Sequence, residues 1–124
     1  MIRILIVDDN ATARYAIGDL IGMILRHRPH PPVDIQYASS AEKAIGILTN
    51  EDITLLITDY ELPGLNGLEL IQQVSDQLST KKILLTENPP SLQERVLGAE
   101  AGLEGIFQKP MRPEDLKRIL TSLF

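Results

Sequence analysis

The chain has 124 residues, the size of one domain, and its apolar and charged shares (44% and 23%) are those of an ordinary soluble globular protein. It contains no cysteine, which removes disulfides, thiolate-bound metals, iron–sulfur clusters and cysteine nucleophiles, and two histidines are too few for most histidine-built metal sites. Lys and Arg number 12 against 17 Asp and Glu; a net charge of −5 with no Trp argues against direct nucleic-acid binding and leaves carboxylates, hydroxyls and lysines for chemistry.

The chain opens on an apolar run, Ile2–Val7, which reads as a strand. Asp8 and Asp9 follow at once, so these first residues do not read as a secretory leader. No run approaches the ~20 apolar residues that span a bilayer. A cytoplasmic protein without a membrane partner is expected.

Next comes a helix. Asn10 is placed to cap it, and Ala13, Ala16, Ile17, Leu20, Ile21, Ile24 and Leu25 recur at three- and four-residue spacing as one apolar stripe. Gly18 and Gly22 fall off that stripe and read as surface positions. Pro29, Pro31 and Pro32 end the helix. The locally basic segment 26–30 before the next strand reads as a solvated loop.

Val33–Ala38 is the second strand. Ser39 and Glu42 then suggest a capping box ahead of Ala44, Ile45 and Leu48. Residues 53–58 form the third run. Asn66 and Glu69 cap a third helix with a stripe of Leu70, Ile71, Val74 and Leu78. Gly64 and Gly67, just before it, read as turn residues rather than a phosphate cradle. Residues 82–86 are the fourth strand, and Ser91 and Glu94 open a helix carrying Val96 and Leu97. Residues 105–108 are the fifth strand. Pro113, Glu114 and Asp115 start the last helix, whose stripe is Leu116, Ile119, Leu120 and Leu123.

Five strand–helix units in a row predict one α/β domain over residues 1–124, with a mostly parallel sheet covered on both faces. In such sheets ligands bind outside the carboxyl ends of the strands. The residues there are Asp8, Asp9 and Asn10 after the first run, Asp59 after the third, Thr86 and Glu87 at the fourth, and Lys109 and Pro110 after the fifth. Taken singly, each has an ordinary explanation. The acidic pair could decorate a helix N-terminus, Lys109 could be a solvated strand end, and Thr86 could be a β-branched strand residue.

Taken together they suggest chemistry. Three carboxylates in one cleft raise each other's pKa unless a cation intervenes. Hard oxygen ligands at a partly open site suit Mg²⁺, and a divalent ion with a lysine is what a phosphoryl group needs against its oxygens. A carboxylate can itself be the nucleophile and form an acyl phosphate, and Asp59 is the candidate.

In these motifs the sequence resembles the receiver domain of bacterial response regulators, of the single-domain chemotaxis-regulator type. The resemblance runs from Ile2 to the last helix. It is carried by the acidic pair at the end of residues 4–10, by the segment 58–67 around Asp59, by Leu84-Leu85-Thr86 and by Phe107-Gln108-Lys109-Pro110. It implies a doubly wound, flavodoxin-like, five-stranded parallel sheet of order 2-1-3-4-5 with five helices. It implies that Asp59 is the phosphoacceptor, and that Asp9, Asp59 and the backbone carbonyl of Glu61 bind Mg²⁺, with Asp8 acting through a metal-bound water. Lys109 would pair with the phosphoryl group and the Thr86 hydroxyl would donate to it. The bond before Pro110 would be cis.

The implied function is a phosphorelay step rather than metabolic catalysis. A histidine kinase or phosphotransfer domain passes a phosphoryl group to Asp59. A conformational shift then reaches a downstream protein, or a second copy of the chain, through the face made by the fourth helix, fifth strand and fifth helix. With no output domain expected, the signal leaves through a protein partner.

Two positions depart from the family pattern. Ile106 stands where an aromatic usually follows the threonine inward, and Phe107, one place along, is expected on the opposite side of the sheet. Glu87 stands where Ala or Gly is usual. These departures favour an alternative, a receiver-fold interaction module working without phosphate. A second acid two residues after Asp59, Glu61, raises a third reading, a Mg²⁺-dependent phosphohydrolase.

Overall fold

A computed structural model describes all of residues 1–124. The elements are β1 (Ile2–Val7), α1 (Ala11–Leu25), β2 (Val33–Ala38), α2 (Ala41–Asn50), β3 (Leu55–Asp59), α3 (Gly67–Gln73), β4 (Lys81–Thr86), α4 (Leu92–Glu100), β5 (Leu103–Gln108) and α5 (Pro113–Thr121). The strands form one parallel sheet of order β2-β1-β3-β4-β5, as the resemblance implies. The order reverses between β1 and β3, which opens a crevice beyond their carboxyl ends.

Two apolar layers cover the sheet because alternate residues of each strand face opposite ways. Ile4 and Ile6 of β1 join Ile57, Ile83 and Leu85 beneath α1 and α5. Leu5 and Val7 join Leu56 and Leu84 beneath α2 and α3. Each such side chain, fully buried, contributes roughly 1.5–3 kcal/mol. This two-sided burial is why the runs read as continuously apolar.

Several helix starts form as the sequence predicts. Asn10 Oδ1 accepts the Ala13 N–H, and both capping boxes, Asn66–Glu69 and Ser91–Glu94, are closed in each direction. Pro113 sits in the first turn of α5.

Other readings need correction. The cap of α2 is Ser40, not Ser39. Glu42 turns away from it and accepts the Leu65 N–H across the β3–α3 loop. β3 begins at Leu55 and runs through Asp59, while β5 begins at Leu103. α3 stops at Gln73, so Leu78 lies outside it and is exposed. Gly18 is buried against Tyr37, whose hydroxyl lies 2.0 Å from where a Cβ would stand. Gly64 does have the positive φ of a turn glycine (74°), but Gly67 is required for closeness: a Cβ there would lie 2.2 Å from the Asp59 carbonyl oxygen.

Candidate functional site

The crevice gathers the strand-end residues. Asp8 and Asp59 are buried at 2% and 3% exposure, whereas Asp9 is exposed. One carboxylate oxygen from each of the three lies within 4.8 Å of the others. Sequence position alone explains this: β1 and β3 are neighbours, Asp8 and Asp9 follow β1 directly, and β3 ends on Asp59.

Lys109 enters from the loop after β5, behind a cis Lys109–Pro110 bond. Its Nζ is 2.7 Å from Asp59 Oδ2 and 3.3 Å from Asp8 Oδ2. Backbone donors hold the acids in place. The Asn10 N–H donates to Asp8 Oδ1 (2.9 Å), and the Glu61 N–H approaches Asp59 Oδ1 at 3.4 Å.

These surroundings shift two groups. Burial pushes the Asp59 carboxyl up, the Lys109 ammonium pulls it down, and the Asp8 charge and Glu61 side chain push it up again, leaving it at about 6. Burial pulls Lys109 down, but its hydrogen bonds and ion pairs with Asp59 and Asp8 outweigh that and raise it.

Thr86 is buried at the end of β4. Its hydroxyl donates to the Asn88 carbonyl (2.9 Å), with Glu61 Oε1 as a weaker alternative at 3.3 Å, and it accepts the Asn88 N–H. Thus it is turned towards the β4–α4 loop and Glu61. Glu87 is exposed and lines the same groove as the acids. That groove, about 1120 Å³, runs from the carboxylates past Ala13, Ile17 and Leu20 of α1 to Met111 and Leu116. The amino-terminal part of the α1 stripe therefore faces the groove as well as the core.

Ile106 and Phe107 pack on opposite faces of the sheet, Ile106 with the α2–α3 layer and Phe107 with the α1–α5 layer. The aromatic is on the other side from the position the family pattern uses.

Three features were not read from the sequence. Arg14 Nη1 donates to the Asp8 backbone carbonyl (2.9 Å), tying α1 to the end of β1. Tyr60, next to Asp59, donates its hydroxyl to Glu94 of α4. Lys82 is buried at 2% exposure, far from the crevice at the start of β4, where its Nζ donates to the Gln77 and Thr80 carbonyls.

The donor set fits a hard divalent cation. All three side chains offer anionic oxygens, two of them buried, and none offers nitrogen or sulfur.

Comparison with known proteins bears on the family and the fold. A family model described as the response regulator receiver domain matches residues 4–121. The chain is 31% identical over 121 residues to a chemotaxis protein CheY homolog of Campylobacter jejuni, covering 95% of this chain and 88% of that protein. It is 30% identical to the Arabidopsis thaliana two-component response regulator ARR13, covering 95% of this chain but only 20% of that much longer protein. The solved CheY-like receiver domain protein of Methanospirillum hungatei superposes with a TM-score of 0.77 at 31% identity, covering 99% of this chain and 94% of that one. The chain belongs to the response regulator receiver domain family of two-component systems.

Proposed function

We propose that the protein accepts a phosphoryl group on Asp59 in a Mg²⁺-dependent reaction and signals through a change of conformation. The observation that carries this reading is the contact of Lys109 with both Asp59 and Asp8, in a crevice where three carboxylates converge. Asp9, Asp59 and the Glu61 backbone carbonyl would hold the metal, with Asp8 acting through a bound water. When bound, Mg²⁺ supplies a second positive charge against the phosphoryl oxygens.

The remaining steps fall to the chain's own side chains. A carboxylate oxygen of Asp59 attacks the phosphorus of a phosphohistidine on a histidine kinase or phosphotransfer domain. The P–N bond breaks and its electron pair stays on the imidazole, which takes up a proton. Lys109 holds the phosphoryl oxygens. The product carries up to about two negative charges where one carboxylate stood. Thr86 then has a stronger acceptor than the Asn88 carbonyl. Its hydroxyl turns inward, and the population shifts to a second packing of α4, β5 and α5, the face offered to a downstream protein or to a second copy.

The test is labelling by acetyl phosphate with Mg²⁺, read by intact mass. One phosphoryl group is expected on the wild type, with none when EDTA replaces Mg²⁺ and none on Asp59→Asn. Full labelling of Asp59→Asn would contradict the assignment.

A further inference from the structure

Tyr60 occupies an unusual junction. Its N–H donates to the Leu85 carbonyl of β4 (2.7 Å), and its own carbonyl accepts the Gly67 N–H at the start of α3 (2.9 Å). Its backbone is thus fixed between two elements, directly after Asp59. Its hydroxyl reaches across to Glu94 Oε2 on the first turn of α4. The other oxygen of Glu94 accepts the Ser91 N–H, closing the capping box (2.9 Å). One carboxylate therefore both starts α4 and moors it to the residue after Asp59.

Little else moors that end of the helix. Gly98, in the last turn, is the one fully buried residue of α4, while Leu92 and Val96 are exposed at 78% and 48%. The approach to α4 is also stiff. The Thr86 hydroxyl donates to the Asn88 carbonyl and accepts the Asn88 N–H, and Pro89 and Pro90 join Asn88 to the Ser91 cap. Two prolines fix two φ angles, so a movement of Asn88 is passed on rather than absorbed.

We propose that the Tyr60–Glu94 hydrogen bond is the latch that holds the amino-terminal end of α4 in its unphosphorylated position, and that it opens when the Thr86 hydroxyl leaves Asn88. It couples Asp59 to α4 on the side of the sheet where Ile106 supplies no aromatic hydroxyl. Tyr60 and Glu94 are positioning residues, since neither touches the reacting atoms. This rests on the reading of Asp59 as phosphoacceptor.

The test uses Tyr60→Phe, which keeps the ring and removes the hydroxyl. Glu94→Ala is the second variant, because it removes the acceptor of the Tyr60 hydroxyl while the Ser91 hydroxyl still accepts the residue-94 N–H. Amide NMR spectra of the wild type, with and without Mg²⁺ and beryllofluoride, define the displacement of residues 92–100 on activation. In Tyr60→Phe without beryllofluoride those amides are expected part-way along that displacement. The rate of labelling by acetyl phosphate is expected to rise about fivefold, the equivalent of one lost hydrogen bond. Should Tyr60→Phe fail to fold, Glu94→Ala is expected to show the same two changes. A merely structural contact would lower the melting temperature without moving the amides along the activation displacement. Amides at wild-type positions together with a wild-type labelling rate overturn the latch. If the wild type itself shows no response to beryllofluoride, the phosphoacceptor reading fails first and the latch falls with it.

Discussion

Lys109 Nζ lies 2.7 Å from Asp59 Oδ2 and 3.3 Å from Asp8 Oδ2, so one ammonium serves two buried carboxylates. One positive charge does not neutralise both. Burial, with a smaller push from the Asp8 charge, keeps the Asp59 carboxyl at about 6, above the ordinary carboxylate range, despite a direct ion pair. A site with surplus negative charge is prepared for a cation, and several consequences can be measured.

The first concerns stability and pH without metal. Asp59 holds a proton up to about pH 6 in the folded state but only up to about pH 4 in the unfolded chain. Between those values the folded state binds more protons, so this group's contribution is present below about pH 4 and lost as pH rises through 6. Asn carries no charge at any pH. In EDTA, Asp59→Asn should therefore melt higher than wild type at pH 7.5, by up to roughly 2–3 kcal/mol of stability, with the advantage shrinking towards pH 4. Equal melting temperatures at pH 7.5 would contradict the burial of an ionised Asp59.

Metal should reverse that ranking. A ligand that binds only the folded state raises its melting temperature with concentration. Mg²⁺ should stabilise the wild type progressively at pH 7.5 and stabilise Asp9→Asn and Asp59→Asn much less. Calorimetry with Mg²⁺ alone checks the same point, with heat of binding expected for wild type and largely lost in both variants.

Glu87 lines the groove beside the acids and places a further anion near the path of an incoming phosphoryl group. Glu87→Ala should speed labelling by acetyl phosphate by about two- to fivefold, the scale of one partly screened charge. The decay of the labelled form, followed by mass after removal of the donor, should change as well. Unchanged loading and decay would remove Glu87 from the account.

Gly67 makes a packing prediction. A Cβ there would stand 2.2 Å from the Asp59 carbonyl oxygen and 2.8 Å from Leu84 Cδ1. Backbone cannot yield as a side-chain tip does. Gly67→Ala should cost about 1–3 kcal/mol in urea unfolding and slow labelling, because the end of β3 must shift. Gly46→Ala, inside α2 with open space at its Cβ, is the control: it should raise stability by up to about 1 kcal/mol and leave labelling unchanged.

Much of this was legible in the sequence because strand ends in a doubly wound sheet are predictable from apolar runs. Asp8, Asp9, Asp59 and Lys109 each stop such a run, and the topology brings the stops together. Capping boxes were legible when the cap and its partner lay three residues apart, as at Asn66 and Ser91. The α2 cap was misplaced because Ser39 and Ser40 are adjacent and Glu42, three residues after Ser39, serves the β3–α3 loop instead. Gly18 looked like surface because its role depends on Tyr37, a residue on another element. Lys82 gave no signal, since burying a lysine needs carbonyls from Gln77 and Thr80 that only the folded α3–β4 loop supplies. Tyr60 and Glu94 were each in view, but a side-chain contact between two elements leaves no periodic trace.

If Asp59 carries the phosphoryl group as an acyl phosphate, borohydride traps it there. Hydride reduces an acyl phosphate to the alcohol and releases phosphate, converting a phosphorylated aspartate into homoserine. After labelling with acetyl phosphate and Mg²⁺, reduction and peptide mass mapping, homoserine is predicted at position 59 and nowhere else. Homoserine at position 8 or 9, or phosphate retained after reduction on Thr86 or another hydroxyl, would contradict it.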